Sequence, residues 1–324
     1  MDIAYLLALQ NFREATGGLL DQFFLLCSKL GDAAIMAAIS ALVLWCGNRK
    51  TSQFIMLSAA GSLLLNQAIK ITACVYRPWV RDARIVPLEG ARKGATGYSF
   101  PSGHAANATA LWGGLALAHR KRRWLCAGCV LLMVLVSFSR NYVGVHTPQD
   151  VLVSLALGGL LLVGIGRVCA WLDADAARAK ARAYIVFGVG MGVGAALLGY
   201  ALVKPYPMDY VNGQLLVAPA KMVIDTYKAV GSCWGIFIGW LWEKRAIHFA
   251  PEGTVLTRVV RSVVGIALLL GVNEGAEALF AGLGESWCGL IASGLSTLFA
   301  TAIYPLIFTK VENALHQRAP RRAR

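Results

Sequence analysis

Charged residues are scarce in this sequence, at 15% of 324 residues against 57% hydrophobic ones. A soluble chain of this length needs far more polar surface to cover its core, so the composition excludes an ordinary soluble protein. Acidic residues are especially few, with 17 against 31 lysines and arginines and a net charge of +14. The basic residues stand in short clusters between apolar runs, which indicates membrane topology and argues against nucleic-acid binding.

Paired cysteines in polar loops are also lacking. The eight cysteines lie in or beside apolar runs, where they predict helix packing rather than a disulfide framework. Cys126 and Cys129 form a C-x-x-C inside an apolar run with no second pair, which favours packing over zinc or redox chemistry. No basic stretch precedes the first apolar residues, so we expect no cleavable signal peptide.

Long apolar runs are abundant instead, and many approach the ~20 residues that cross a bilayer. The sequence therefore predicts an all-α polytopic membrane protein, a helical bundle of about nine transmembrane helices. Residues 1–17 predict an interfacial amphipathic helix. The predicted spans are 18–47, 52–76, 104–118, 124–143, 150–171, 183–203, 218–242, 258–281 and 287–309.

The basic residues also predict an orientation. More than half of the 31 lysines and arginines fall in connections that share one side with the C-terminus. By the positive-inside rule that side is the cytoplasm. The loops 77–103, 140–149, 204–217 and 282–286 then face outside. The 77–103 loop is basic all the same, and an anionic substrate would explain why.

The polar linker 172–182 divides the chain, because every segment that carries chemistry precedes it. We expect residues 18–171 to form a five-span core with the active site. Residues 183–309 would form a four-span membrane extension, and 310–324 a basic cytoplasmic tail. The closely spaced glycines of 188–194 predict helix packing, since no strand precedes them as in a nucleotide-binding loop.

The first segment with chemistry contains Lys70 and Arg77, which are seven residues apart. On a helix they share one face, ~10 Å apart along its axis. Pro78 then ends the helix at the outer surface. Arg77 alone would be explained by snorkelling to the interface. Lys70 lies two turns deeper, where an ionised residue normally has a function or a partner.

The second segment is Pro101-Ser102-Gly103-His104, directly before an apolar helix. Ser102 can cap that helix, and Gly103 lets a ligand approach the backbone. The free N–H groups at a helix N-terminus bind anions, and His104 would lie at the rim of such a site. Taken alone, the segment fits a plain cap with a surface histidine equally well.

The third segment runs from Ser139-Arg140 to His146 and Asp150. Thr147 fits the cap of the following helix, and Asp150 lies in its first turn. Asp150 is one turn from His146, close enough to hold the imidazole by one ring nitrogen. That contact would free the other nitrogen to attack, as in a catalytic triad.

All three segments fall on the same predicted face of the bundle, where we expect a wet site. They supply three cations, a helix N-terminus and two histidines. Phosphoryl transfer needs charge stabilisation on three equatorial oxygens, an in-line nucleophile and an acid for the leaving group. The combination therefore predicts phosphoryl transfer at one face of the bilayer.

Together the segments resemble the three-part signature of the type 2 phosphatidic acid phosphatase superfamily, a family of membrane lipid phosphate phosphatases. That signature is Lys-x6-Arg-Pro, then Pro-Ser-Gly-His, then Ser-Arg-x5-His-x3-Asp. Every position is matched here, over residues 70–78, 101–104 and 139–150. The resemblance covers roughly residues 20–171.

The resemblance implies a role for each matched residue. His146 would be the nucleophile that becomes phosphohistidine, with Asp150 as its orienter. His104 would protonate the leaving group and then activate water. The family uses no metal and no other cofactor. The residues implied to bind the phosphoryl oxygens are Lys70, Arg77, Ser102, Gly103 and Arg140.

The expected reaction is hydrolysis of a lipid phosphomonoester or pyrophosphate, on an isoprenyl pyrophosphate, phosphatidylglycerol phosphate or phosphatidic acid. We expect a bacterial cytoplasmic membrane protein with its site facing outside, which favours a carrier-lipid pyrophosphate. Two alternatives stay open. One is phosphotransfer or hydrolysis of a soluble phosphate at the same site. The other is a transporter or scramblase on a phosphatase-like core, motivated by the extra spans and by Glu274 and Glu277.

The same two glutamates suggest a structural role as well. Together with Lys221, Asp225 and Lys228 they predict an ion-pair network that joins two helices of the extension, because unpaired charges in hydrocarbon are costly. The sequence leaves open which lipid is the substrate, what the extension does and which oligomeric state the protein adopts.

Overall fold

The structure is a computed structural model that describes residues 2–211, 213–251 and 253–318. The first helices are α1 (Asp2–Ala15), α2 (Asp21–Lys29), α3 (Ala33–Cys46), α4 (Arg49–Ala73), α5 (Pro78–Arg81) and α6 (Glu89–Arg92). They are followed by α7 (Gly103–Ala108), a π-helical turn (Thr109–Gly113), α8 (Gly114–Ala118), α9 (Arg123–Tyr142) and α10 (Pro148–Asp173).

The second part of the chain begins with α11 (Ala179–Val203) and a short antiparallel hairpin of β1 (Tyr210–Val211) and β2 (Gln214–Leu215). Its remaining elements are α12 (Pro219–Trp242), a π turn (Glu243–Ile247), α13 (Val255–Phe280), a 3₁₀ turn (Ala281–Leu283), α14 (Glu285–Leu298), a π turn (Phe299–Ile303) and α15 (Tyr304–Arg318).

The membrane-spanning character predicted from composition is confirmed. Among the described residues, 6 helices are long and apolar enough to cross a bilayer, and the bent pair of α2 and α3 would make a seventh span. The molecule is thus an all-α polytopic membrane protein. The stretch from Gly103 to Ala118 is short for a span, and α12 carries three charged residues in its first half. The count of nine spans therefore stays a prediction.

The span predicted for residues 18–47 consists of two helices, because α2 and α3 meet at an angle of 55°. The break lies at Gly31 and Asp32. A Cβ atom at Gly31 would lie 2.9 Å from Cδ2 of His104, so a larger residue would not fit there. Asp32 is extended (φ −62°, ψ 139°) and starts α3. The break brings Asp32 to the second segment.

The helix predicted for residues 1–17 corresponds to α1. Its Arg13 is buried and donates hydrogen bonds to the carbonyls of Val86 (2.8 Å) and Tyr142 (3.3 Å). Helix α1 is thereby attached to the C-terminal end of α9 and to the loop after α5. Its position at the membrane interface stays a prediction.

Helix α12 packs against both halves of the molecule. On one side Gly231 and Gly235 face α14, and Gly239 faces Thr301 in the π turn that follows it; a Cβ at Gly231 would lie 2.1 Å from the carbonyl oxygen of Leu290. Small residues at this spacing let two helix backbones approach each other. On the other side Gln67 of α4 donates to Oγ1 of Thr226 at 2.9 Å.

The extension and the predicted core share one hydrophobic interior. Trp45 of α3 is fully buried with Tyr304 of α15, and their rings lie 4.7 Å apart. The Trp45 indole donates to the carbonyl of Ala300 at 2.8 Å. The buried Arg261 of α13 donates to the carbonyl of Trp45 at 2.7 Å and pairs with Glu312. The polar connection after Asp173 therefore separates two segments of sequence that form one packed body.

One expectation for the extension changes. Lys221 pairs with Asp225 on the same helix, and Glu277 accepts a hydrogen bond from Asn273, one turn earlier on α13. No ion pair joins α12 and α13 in the part of the chain that the structure describes, so the predicted cross-helix network is wrong. The predicted tail is helical as far as Arg318. Residues 319–324 lie outside the described residues.

Candidate active site

The three predicted segments meet at one end of the helix bundle. Nη1 of Arg77 lies 2.9 Å from Nε2 of His146, which joins the first segment to the third. The backbone N–H of Ser102 donates to the carbonyl of Asp150 at 3.1 Å, which joins the second to the third. Arg77, Ser102, His146 and Asp150 are all buried, whereas the side chains of His104 and Asp32 are partly exposed, and the expectation of a wet site stays a prediction.

The imidazole of His146 is held at both nitrogens. Its Nδ1 lies 3.3 Å from Oδ2 of Asp150. The same oxygen accepts hydrogen bonds from Oγ of Ser99 (2.5 Å) and from the backbone N–H of Thr147 (2.8 Å), the second of which belongs to the capping box that starts α10. A carboxylate accepts only, so Nδ1 carries the proton and Nε2 carries the lone pair, which accepts the hydrogen bond from Nη1 of Arg77. The nitrogen able to attack is therefore the one beside Arg77.

The environment of His146 also favours its neutral form. His146 lies in the loop between α9 and α10 and is 2% exposed. Burial lowers the pKa of His146 well below its ordinary value, and the nearby positive charges of Arg77 and Arg140 lower it further. A neutral imidazole is the nucleophilic form, so this pKa shift keeps Nε2 available to attack an electrophile.

Arg77 is fixed by backbone carbonyls as well as by His146. Its guanidinium donates to the carbonyls of Thr96 (3.0 Å), Gly97 (3.2 Å) and Val145 (3.1 Å). These bonds hold a planar five-donor group against the nitrogen that would attack. A phosphoryl group that bonds to Nε2 would displace the one hydrogen bond between Arg77 and His146, and its oxygens would then lie beside the Arg77 guanidinium.

Two further cations approach the same place. Arg140 is buried and its Nη1 donates to the hydroxyl of Ser28, but its Nε–H has no partner among the described residues. Lys70, two turns before Arg77, makes no hydrogen bond or ion pair within the described part of the chain. A bound anion would supply acceptors for both groups.

The second segment contributes the start of a helix. Ser102 is fully buried, and its Oγ accepts from the N–H of Ala105 at 3.4 Å, as a cap does. Its own N–H is occupied by Asp150, so Ser102 offers the site only its hydroxyl proton. At Gly103 the nearest atom to an added Cβ is Oδ1 of Asn66, at 3.8 Å. The backbone there remains open to a ligand.

A partner of His104 was not predicted. Nε2 of His104 lies 2.9 Å from Oδ1 of Asp32, at the break between α2 and α3. The side chain of His104 is 21% exposed and that of Asp32 is 50% exposed. One signal for Asp32 exists in the sequence, because a carboxylate inside an apolar run normally marks a functional position.

Asn66 is a second unpredicted neighbour of the site. It lies one turn before Lys70 on the same face of α4 and close to Gly103. Its amide nitrogen is buried without a partner among the described residues. A buried unpaired donor is costly unless a ligand or water satisfies it. The spacing from Lys70 is the only sign of this in the sequence.

The site offers no evident place for a metal ion. Among the described residues, no three His, Cys, Asp or Glu side chains group as metal ligands would. The charge at the site comes instead from Lys70, Arg77 and Arg140. Together with the imidazole of His146, these three cations can bind a tetrahedral anion.

Comparison with known protein families identifies the kind of membrane protein to which this anion-binding site belongs. Residues 53–173 match the PAP2 superfamily, and residues 227–317 match the PAP2 superfamily phosphatase, transmembrane extension. The chain thus contains a PAP2 superfamily domain and, toward its C-terminus, that superfamily's transmembrane extension. The family predicted from the three segments is therefore confirmed.

Individual relatives cover parts of the chain. An undecaprenyl-diphosphatase from Sulfolobus acidocaldarius is 31% identical over 40% of this chain and 62% of its own length. Lipid phosphate phosphatase delta from Arabidopsis thaliana is 28% identical over 47% of this chain and 39% of its own. Phosphatidylglycerophosphatase B from Bacillus subtilis is 34% identical over 27% and 46%.

The matched regions thus span less than two thirds of the length of each of these relatives. No solved structure matches the chain.

Proposed function

We propose that this protein hydrolyses the phosphate of a membrane lipid through a phosphohistidine at His146. The observation that carries the proposal is the pair of contacts on its imidazole, with Asp150 at Nδ1 and Arg77 at Nε2. The names of the relatives, which are phosphatases of lipid phosphates or diphosphates, support the class of substrate.

The first step forms a bond between Nε2 of His146 and phosphorus while the bond from phosphorus to the leaving oxygen breaks. Protonated His104 donates its proton to that oxygen, so the lipid leaves as an alcohol or as a lipid phosphate. Asp150 stabilises the positive charge that the His146 ring gains. Lys70, Arg77 and Arg140 stabilise the three equatorial oxygens.

The second step releases inorganic phosphate. Neutral His104 takes a proton from a water molecule, whose oxygen attacks phosphorus as the bond to Nε2 breaks. His104 is then protonated again and His146 is neutral, which restores the starting state. Asp32, in contact with His104, stabilises the protonated form on which the first step depends.

The substrates we propose are lipids with a terminal phosphate or diphosphate. The printed function of the Sulfolobus relative favours an isoprenyl diphosphate, and that of the Bacillus relative favours phosphatidylglycerol phosphate. Phosphatidic acid, suggested by the family name, is the third candidate. All three present the same dianionic phosphoryl group to the site and differ in the attached lipid.

The direct test is phosphate release by purified protein from a panel of these lipids, with excess chelator present. Hydrolysis of at least one lipid with chelator present is the expected result, because three cationic side chains supply the charge stabilisation that a metal would give. Appearance of a phosphorylated acceptor in place of free phosphate would instead indicate phosphotransfer. Lipid movement between leaflets with no phosphate release would favour the transporter or scramblase alternative.

We further propose that the site faces outside and the C-terminus faces the cytoplasm, on the basis of the basic residues. Lys93, which is largely exposed, lies in the loop with the site, and Ala176 lies in the polar connection after α10. In intact cells, a membrane-impermeant thiol reagent should label Lys93→Cys and leave Ala176→Cys unlabelled.

A cysteine-free parent is the control for this experiment. Permeabilised cells should label both variants, which shows that each introduced thiol is reactive. Labelling of Ala176→Cys but not of Lys93→Cys in intact cells would reverse the proposed topology. It would leave the proposed chemistry unaffected.

A further inference from the structure

A cavity of about 340 Å³ lies between the predicted core and the C-terminal extension. This volume falls within the range of small-molecule sites, about 300–1,000 Å³. Helices α3, α4 and α7 form one side, and α12, α13 and α14 form the other. The wall is mainly apolar and is notably rich in small residues on α3.

The cavity begins beside the candidate active site, and the end nearest the site is called its upper end. Ala33, at its upper end, follows Asp32 directly, and Asn107 lies one turn after His104 on the same helix. Leu63 on α4 lies one turn below Asn66. The upper end of the cavity is therefore formed by the neighbours of the Asp32–His104 pair.

The cavity then runs inward along α3 from Ala33 to Leu44. At 1.5 Å per residue this is about 16 Å. The hydrocarbon core of a bilayer is about 30 Å thick, so the cavity has the depth of one leaflet. An extended hydrocarbon chain whose phosphate lies at the site would reach the same depth.

One side of the cavity is open between α3 and α13. The two helices meet at their cytoplasmic ends by our topology, where Sγ of Cys46 lies 3.5 Å from Oγ of Ser262. Toward the site, Ala37 on α3 and Leu270 on α13 line the cavity and are both exposed. A chain could therefore enter sideways from the bilayer without leaving hydrocarbon.

The reaction geometry indicates why a chain would occupy this cavity. In an in-line displacement the leaving group lies opposite the nucleophile. The leaving oxygen must also be within reach of its proton donor, His104. The lipid is therefore on the side of His104, where the cavity begins. Another cavity, about 470 Å³, borders Asn141 and Pro148 behind the backbone of His146, on the nucleophile's side.

From this geometry we infer that the cavity between core and extension binds a hydrocarbon chain of the lipid substrate. The inference rests on the proposed function and adds a role for the extension, which supplies half of the binding wall. The extension would thus select substrates that carry a long chain over small soluble phosphates.

The test fills the cavity. Ala37→Trp and Ala34→Phe place large side chains in its wall, at positions without contact to the phosphoryl-binding residues. Hydrolysis of hexadecyl phosphate in mixed micelles should fall at least about tenfold in kcat/KM, since an overfilled site cannot hold the chain. Hydrolysis of soluble p-nitrophenyl phosphate should change by less than about twofold, and this second activity also reports correct folding.

Ala195→Phe is the matched control, because Ala195 is exposed on α11 away from the cavity. It should alter neither activity. Equal losses on both substrates in the cavity variants, or an unchanged rate on hexadecyl phosphate, would overturn the inference.

A binding measurement separates this inference from the proposed function. Hexadecyl phosphate should slow the alkylation of Ala37→Cys by a membrane-permeant maleimide, read by peptide mass spectrometry, and should not slow that of Ala195→Cys. This protection needs no turnover. Protein that hydrolyses neither probe but shows protection would overturn the proposed function alone, and absence of protection would overturn the chain site.

Discussion

Replacing His146 by alanine should reduce hydrolysis of every substrate by a factor on the order of 10⁶, the scale seen when a covalent nucleophile is removed. The physical reason is that Nε2 of His146 is a nucleophilic nitrogen held against Arg77, whereas the other hydrogen bonds that the described structure gives Arg77 go to backbone carbonyls. Phosphate release from a lipid phosphate by purified protein is the measurement. A rate within tenfold of the parent would contradict the covalent mechanism.

The choice of control matters because His146 is buried. Its removal takes one of several hydrogen-bond partners from Arg77 and from Asp150, and a buried polar group that loses a partner costs about 1–3 kcal/mol or more when charged. His146→Gln retains hydrogen-bonding groups and is the better-folded comparison. Both variants should be inactive, and thermal unfolding should separate their stabilities. If only the alanine variant lost activity, the loss would reflect folding.

The three segments were predictable because each carries its own local pattern. The spacing of Lys70 and Arg77 and the spacing of His146 and Asp150 follow from the helical repeat, and caps follow from Ser102 and Thr147. We could also predict that the three segments meet in space, because the predicted topology places all of them on one face of the bundle. The structure does bring Arg77, His146 and Asp150 into contact.

What could not be predicted depends on contacts between distant parts of the chain. The apolar run around Asp32 indicates one span, and only the close approach of Gly31 to His104 explains why it bends. The contact of Gln67 with Thr226 joins residues far apart in sequence. Hydropathy identifies which helices are apolar, but it does not indicate which neighbouring helices each of them packs against.

The charged residues of the extension illustrate the same limit. Lys221 and Asp225 are one turn apart, and a local i,i+4 pair satisfies both charges without a second helix. The predicted network between helices rested on the assumption that a buried charge must find its partner on another helix. Gly231 and Gly235 explain better how the extension is held together, because they let the backbones of α12 and α14 pack closely.

Replacing His104 by asparagine should slow hydrolysis of an alkyl phosphate by about 10²–10⁴-fold, the contribution of a general acid. An alkoxide is a poor leaving group and needs a proton as it departs. The p-nitrophenolate ion is stable without one. The first step with p-nitrophenyl phosphate should therefore be nearly unaffected, and phosphoenzyme should accumulate because the water attack still lacks its base.

Asp32→Asn should show the same dependence on the leaving group to a smaller extent, because Asp32 acts through His104 and does not contact the substrate. The expected pattern is a loss of about 10²-fold on hexadecyl phosphate and little change in the first step with p-nitrophenyl phosphate. Rapid-quench measurement of phosphoenzyme formation reads that first step directly. A purely structural role would slow both substrates alike, and so would a defect in phosphate binding. Asp82, a partly exposed carboxylate paired with Arg84 in the loop after α5, provides the matched control. Asp82→Asn should leave both rates unchanged, and if Asp32→Asn behaved in the same way, the contact of 2.9 Å between Asp32 and His104 would have no role in proton transfer.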